Sequence, residues 1–117
     1  MMTDVLFKNA LLLDTSEGVL LEGRHVLVRD GLITKVADSP IKGGDVDEID
    51  LRGKVLMPGL CDAHVHITAA TADFVALMRW SPFYVSARTA DILRDMLMRG
   101  FTTVRDAGGA DFGIARA

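Results

Sequence analysis

His64 and His66 stand one residue apart in Pro58-Gly59-Leu60-Cys61-Asp62-Ala63-His64-Val65-His66. On an extended strand alternate side chains leave the same face, so both imidazoles project together, as two neighbouring ligands of one metal ion must. Imidazole suits zinc and other first-row divalent ions. By the same parity Asp62 shares the histidine face, and Cys61, Ala63 and Val65 lie on the opposite, apolar face. A bare His-x-His equally describes surface histidines or satisfied structural ones. Its place favours the metal: the end of an apolar strand, after a Pro-Gly turn and before a loop, and sites in parallel α/β folds gather at the carboxyl ends of strands. A catalytic zinc usually has three protein ligands plus water, so further ligands must come from elsewhere.

Other residues carry two readings each. Asp62 either orients the site from behind the ligands or only orders the strand end. Asp106 either touches ligand or water at the site-bearing end of a second strand or caps the loop that follows. Arg105 has the fork to meet a substrate carboxylate, but its parity is opposite to that of Asp106 and a structural salt bridge is the preferred reading. Cys61 reads as a packing residue facing helices, and His25 as an exposed hairpin residue. Met78, Trp80, Phe83 and Tyr84 either wall a pocket or belong to a core, with core the commoner fate.

The elements that must position these groups follow from periodicity. Val5-Leu6-Phe7 and Ala10 to Leu13 read as strand, ending at the turn formers Asp14, Ser16 and Gly18. His25 to Arg29 and Leu32 to Val36 flank Asp30-Gly31, the signature of a tight hairpin with a type I′ turn. Residues 38–45 read as loop, Val46 to Leu51 as a short acidic strand, and Arg52-Gly53-Lys54 as a turn before Val55-Leu56-Met57. Leu60 to Ile67 reads as the strand carrying the histidines, and Ala70 to Met78 has helical spacing. Ser81-Pro82 opens a helix to about Arg99. Ile92, Leu93, Met96 and Leu97 form its apolar stripe, Asp95 and Arg99 sit where they can pair, and Gly100 is placed at C′. Phe101 to Arg105 is a further strand, and strand, helix, strand in that order is a βαβ unit with two parallel strands.

The chain of 117 residues is half hydrophobic and a quarter charged, with a formal net charge of −3, which suits a globular protein of one small domain. The mild acidity and scattered basic residues argue against a nucleic-acid or membrane surface. One cysteine allows no internal disulfide, and the apolar stretch Val5 to Leu13, broken by Lys8 and Asn9, is a poor signal peptide and too short to span a bilayer. A cytoplasmic location is the expectation.

Leu56-Met57-Pro58-Gly59-Leu60-Cys61-Asp62-Ala63-His64-Val65-His66 resembles the first barrel strand of the amidohydrolase superfamily of metal-dependent hydrolases. Asp30-Gly31-Leu32-Ile33 and Asp50-Leu51-Arg52-Gly53-Lys54 resemble the amino-terminal half of that family's accessory β-sandwich. Gly100-Phe101-Thr102-Thr103-Val104-Arg105-Asp106-Ala107-Gly108-Gly109 resembles its second barrel strand, nearest the imidazolonepropionase-like and prolidase-like branch that cleaves dipeptides or N-acylated amino acids. The resemblance implies an α/β fold: residues 1–57 as part of a small β-sandwich, and residues 58–117 as the first βαβ portion of a (β/α)8 TIM barrel. It implies one or two divalent ions, zinc above all, with His64 and His66 as metal ligands, Asp62 and Asp106 as outer or substrate-side candidates, and the catalytic groups beyond Ala117. The family's other ligands are a carboxylated lysine or a glutamate, two later histidines and a late aspartate. A full barrel takes roughly 250 residues, so the chain is expected to be a fragment or one piece of a longer enzyme, inactive alone. The complete enzyme is expected to be a homo-oligomer acting on a small-molecule substrate.

Three classes of function compete. The leading one is a metal-dependent hydrolase of amide or peptide bonds, with a cyclic amide as the alternative substrate. The second is a non-catalytic relative kept as a scaffold, against which the histidine pair speaks. The third is a stand-alone β-rich binding module, against which the βαβ tail speaks, because parallel strands need cover on both faces.

Overall fold

A computed structural model describes residues 4–117. The chain forms two compact units that part between Pro58 and Gly59. It is a mixed α/β chain. Among the described residues no helix is long and apolar enough to cross a membrane.

The first unit is a single sheet. Strands β1 (Val5–Asp14), β2 (Val19–Arg29), β3 (Leu32–Ala37) and β4 (Asp47–Asp50) lie in the order β3-β2-β1-β4, and β5 (Val55–Leu56) also pairs with β1. The β1–β2 and β2–β3 pairs are antiparallel, while β4 and β5 run parallel to β1. The Asp30-Gly31 turn joins β2 to β3 with φ of 50° and 76°, the two positive angles that a type I′ hairpin requires. Leu6, Ala10, Val26 and Leu27 are buried. Gly43 lies so close above Leu6 that a Cβ there would stand 2.6 Å from Val46 Cγ2 and 3.3 Å from Leu6 Cδ2.

Strand β1 is not regular. Its pairing with β2 slips between Phe7 and Ala10, where Asn9 takes a left-handed φ of 54°. Asparagine tolerates that conformation better than most residues. The Asn9 carbonyl accepts the Gly53 N–H at 2.8 Å, and its side-chain amide donates to Asp50 Oδ1 at 2.9 Å. The turn between β4 and β5, with Arg52 at φ 50° and Gly53 at φ 79°, therefore bulges where β1 bulges. The Asn9 amide, joined by the Arg52 N–H, holds the Asp50 carboxyl below its ordinary pKa.

Beside this bulge the structure corrects one expectation. His25 is buried rather than exposed. It sits on β2, which has a strand on either side, and its Nδ1 has no partner among the described residues.

In the second unit β6 (Leu60–Val65) and β7 (Phe101–Asp106) are parallel, joined by α1 (Phe74–Leu77) and α2 (Pro82–Met98), and α3 (Phe112–Arg116) follows. Ser81 caps α2, its Oγ accepting the Phe83 N–H at 3.3 Å, and Pro82 fills the first helical position. Gly100 closes the helix at φ 95°, donating its N–H to the Leu97 carbonyl at 2.9 Å. The buried side of α2 is Thr89 and Met96, with Ile92 and Leu93 half-buried. Thr89 satisfies its hydroxyl on the Val85 carbonyl at 2.9 Å.

Three details of this unit depart from expectation. Leu97 is exposed, not part of the stripe. Asp95 lies 3.9 Å from Arg94 instead of pairing with Arg99. The helix expected over residues 70–78 is one turn and starts only after Asp73, which caps it by accepting the Ala76 N–H at 2.9 Å.

Candidate metal centre

The strand that carries the histidines is set by its first residues. Gly59 has no room for a side chain, since a Cβ there would lie 2.7 Å from Thr102 Cβ. The Leu60 N–H then donates to the Gly100 carbonyl at 2.8 Å and starts the parallel ladder. The ladder brings the carboxyl ends of β6 and β7 side by side, with Val65 opposite Asp106.

The strand ends at Val65 rather than at Ile67. The Ile67 N–H leaves the ladder and donates to Asp106 Oδ2 at 2.8 Å. The His66 carbonyl accepts the Ala69 N–H at 3.0 Å, which turns the chain away.

His64 and His66 project together. Their ring centroids are 5.2 Å apart and their planes meet edge to face at 77°. Both residues are exposed. His66 Nδ1 lies 2.8 Å from the Gly108 carbonyl oxygen. A carbonyl only accepts, so Nδ1 carries the proton, and in the neutral ring Nε2 keeps its lone pair free. Metal-ligating histidines are ordinarily held in this way, one nitrogen donating to a carbonyl or carboxylate while the other faces the ion. The pair thus fits part of a divalent-ion site, with imidazole donors suited to zinc. Among the described residues no group of three or more His, Cys, Asp or Glu side chains is gathered to complete one.

Asp62 and Asp106 have different jobs. Asp62 Oδ1 accepts the His64 N–H at 3.1 Å, so its carboxylate orders the backbone of a histidine. Asp106 accepts three backbone N–H groups: Ile67, Gly108 at 2.7 Å and Ala110 at 3.4 Å. Partial burial works to raise its pKa, but these N–H groups outweigh it and hold the carboxyl below its ordinary value. Asp106 therefore organises the loop after β7.

Other expectations fare unevenly. Cys61 is exposed rather than packed. Among the described residues Arg105 has no carboxylate within ion-pair distance. Trp80 stacks edge to face on Tyr84 at 5.1 Å and lines an open groove of about 430 Å³ with Thr68, Leu77 and Gly109, whereas Met78 and Phe83 point to solvent. The Gly108 carbonyl and the Ile67 N–H escaped sequence reasoning because main-chain groups carry no residue signature. Asp106 two residues before Gly108 is the pattern of an aspartate turning its own backbone, and could have pointed to the loop.

Residues 47–109 match the Amidohydrolase family. The 5′-deoxyadenosine deaminase of Methanosarcina acetivorans is 30% identical over 105 residues, covering 85% of this chain and 24% of that protein. The dihydroorotase of Bacillus thuringiensis is 42% identical over 62 residues, covering 53% of this chain and 14% of that protein. A prolidase crystallised with N-methylphosphonate-L-proline superposes with a TM-score of 0.93 at 40% identity, covering 98% of this chain and 28% of that one. The chain spans about a quarter or less of the length of the curated relatives described here.

Proposed function

Because the chain belongs to the amidohydrolase family, we propose that its complete protein is a metal-dependent hydrolase cleaving the amide bond of a dipeptide or N-acyl amino acid. The observation that carries the reading is the His64–His66 pair, with the Nδ1 of His66 turned onto the Gly108 carbonyl. The relatives named above are enzymes acting on carbon–nitrogen bonds, which supports that reaction class. The prolidase, alike over nearly the whole chain, supports the dipeptide branch. The dihydroorotase supports the cyclic-amide alternative, over about half of the chain.

In this reading the second unit is the opening of a (β/α)8 barrel and the first unit is part of an accessory β-sandwich. His64 and His66 hold a divalent ion, zinc by their chemistry, through imidazole nitrogens. Such an ion supplies an acidified water and polarises the scissile carbonyl. The protein's own contribution here is orientation. The ladder to β7 fixes the strand, the Asp62 carboxylate fixes the His64 backbone, and the Gly108 carbonyl keeps the proton of His66 off Nε2. A cytoplasmic setting accords with the free thiol of Cys61.

The test is a substrate panel on the zinc-loaded full-length protein: Xaa-Pro and other dipeptides, N-acyl amino acids, dihydroorotate and 5′-deoxyadenosine. Turnover of dipeptides or N-acyl amino acids is expected. It should fall by more than about 100-fold in His64→Ala and His66→Ala, beyond the cost of losing an outer partner. Activity confined to dihydroorotate or to the nucleoside overturns the dipeptide reading. Full activity in both histidine variants overturns the metal site.

A further inference from the structure

We infer that Asp106 is a positioning residue that sets the proton of His66 by building the carbonyl that receives it. The inference rests on reading His66 as a metal ligand. Asp106 is the last residue of β7, and its two oxygens reach in different directions. Oδ2 takes the Ile67 N–H at 2.8 Å, fixing the residue next to His66. Oδ1 takes the N–H groups of Gly108 at 2.7 Å and Ala110 at 3.4 Å, folding the loop back on itself. One carboxylate thus ties the end of β6 to the end of β7. Between the two ties the Gly108 carbonyl meets His66 Nδ1 at 2.8 Å.

The loop has little slack for another arrangement. The Ala107 N–H continues the ladder to the Val65 carbonyl at 2.8 Å. Gly109 adopts a left-handed φ of 109°, and a Cβ there would run into Thr68 Oγ1. Without Asp106 the N–H groups of Ile67 and Gly108 lose their acceptor, and the Gly108 carbonyl loses the ties on either side of it. His66 would then be free to place its proton on Nε2, the nitrogen a metal needs. Asparagine is an incomplete substitute, because its Oδ1 serves one set of N–H groups while its amide nitrogen faces the other.

The experiment uses the full-length protein, wild type, Asp106→Ala and Asp106→Asn. Zinc affinity is measured by competition with a chelator, and the His66 Nδ1 proton is followed by NMR with ¹⁵N-labelled histidine, with and without zinc. Expected in the metal-free protein are a protected Nδ1 proton in the wild type and its loss in Asp106→Ala. Zinc affinity should fall about 10–100-fold, the usual cost of removing an outer partner, with Asp106→Asn in between. A wild-type His66 protonated on Nε2 overturns the inference, and so does an Asp106→Ala protein with unchanged affinity and Nδ1 signal. If the alanine variant does not fold, the asparagine variant decides, and wild-type affinity there overturns the idea. Failure of the wild type to bind zinc would sink the metal reading instead, while the Nδ1 proton of the metal-free protein still tests the role of Asp106.

Discussion

Gly59→Ala should loosen the strand that carries the histidines. The φ of Gly59 lies outside the left-handed region, so alanine is not strained there by its backbone and the cost is steric. Its new Cβ would stand 2.7 Å from Thr102 Cβ and closer still to both branches of that side chain. Rotating Thr102 moves its branches but not its Cβ. Ordinary carbon contacts are about 3.5–4.0 Å, so β6 and β7 must part by about 1 Å at this point. The Leu60 N–H to Gly100 carbonyl bond, now 2.8 Å, would stretch past useful length, a loss of about 1 kcal/mol. Overpacking adds about 1–3 kcal/mol, and the sum is on the order of 2–4 kcal/mol. Urea unfolding of the full-length protein measures it, in a cycle with Thr102→Ala and Thr102→Gly. Alanine at 102 keeps the offending Cβ and should relieve little, whereas glycine at 102 should bring the cost of Gly59→Ala below about 0.5 kcal/mol, the level of independent sites. A Gly59→Ala protein within about 0.5 kcal/mol of wild type, or a cost indifferent to Thr102→Gly, would refute the close approach.

Two further outcomes are expected. The 117-residue polypeptide made alone should show no metal-dependent turnover and should self-associate, because Phe83, Met78, Phe112, Leu32 and Ile33 are each at least 69% exposed; sizing chromatography and a zinc-supplemented hydrolase assay check this, and a monodisperse monomer or measurable turnover would count against it. Asp50, whose pKa is depressed chiefly by Asn9, should stabilise the fold above its ordinary pKa of 3.8 and lose that contribution as pH falls through the lower folded value. The Tm gap between wild type and Asp50→Ala should therefore close in acid, and a gap constant down to pH 2 would argue against the bond to Asn9.

What could be read in the sequence was local. The Asp30-Gly31 turn states its own geometry, and Ser81, Pro82 and Gly100 mark both ends of α2 within a residue. The histidine pair was legible because strand parity alone puts both rings on one side. The misreadings arose where distant residues decide. β6 stops at Val65 because Asp106, far along the chain, captures the Ile67 N–H. The bulge at Asn9 answers a turn at Arg52-Gly53 that pairs with it only after folding. His25 does lie in the hairpin, opposite Ala37, but it is buried rather than exposed, its strand lying between β1 and β3. Cys61 is exposed although its face of the strand was expected to meet a helix, a packing partner that strand parity alone does not supply.

The contact between His66 and Gly108 also orders events in time. It closes a separation of 42 residues, whereas Arg29 meets Leu32 across a two-residue turn. Each doubling of loop length adds about 0.6 kcal/mol of closure entropy, and hairpins form within about 1–10 μs. During synthesis the β2–β3 hairpin has all its parts as soon as Ala37 has emerged. The orientation of His66 has to wait for Gly108, and until then the imidazole is unaimed. On the proposed metal reading, a site of final geometry would thus be a late event, bound to the completion of the parallel pair rather than to the appearance of the histidines.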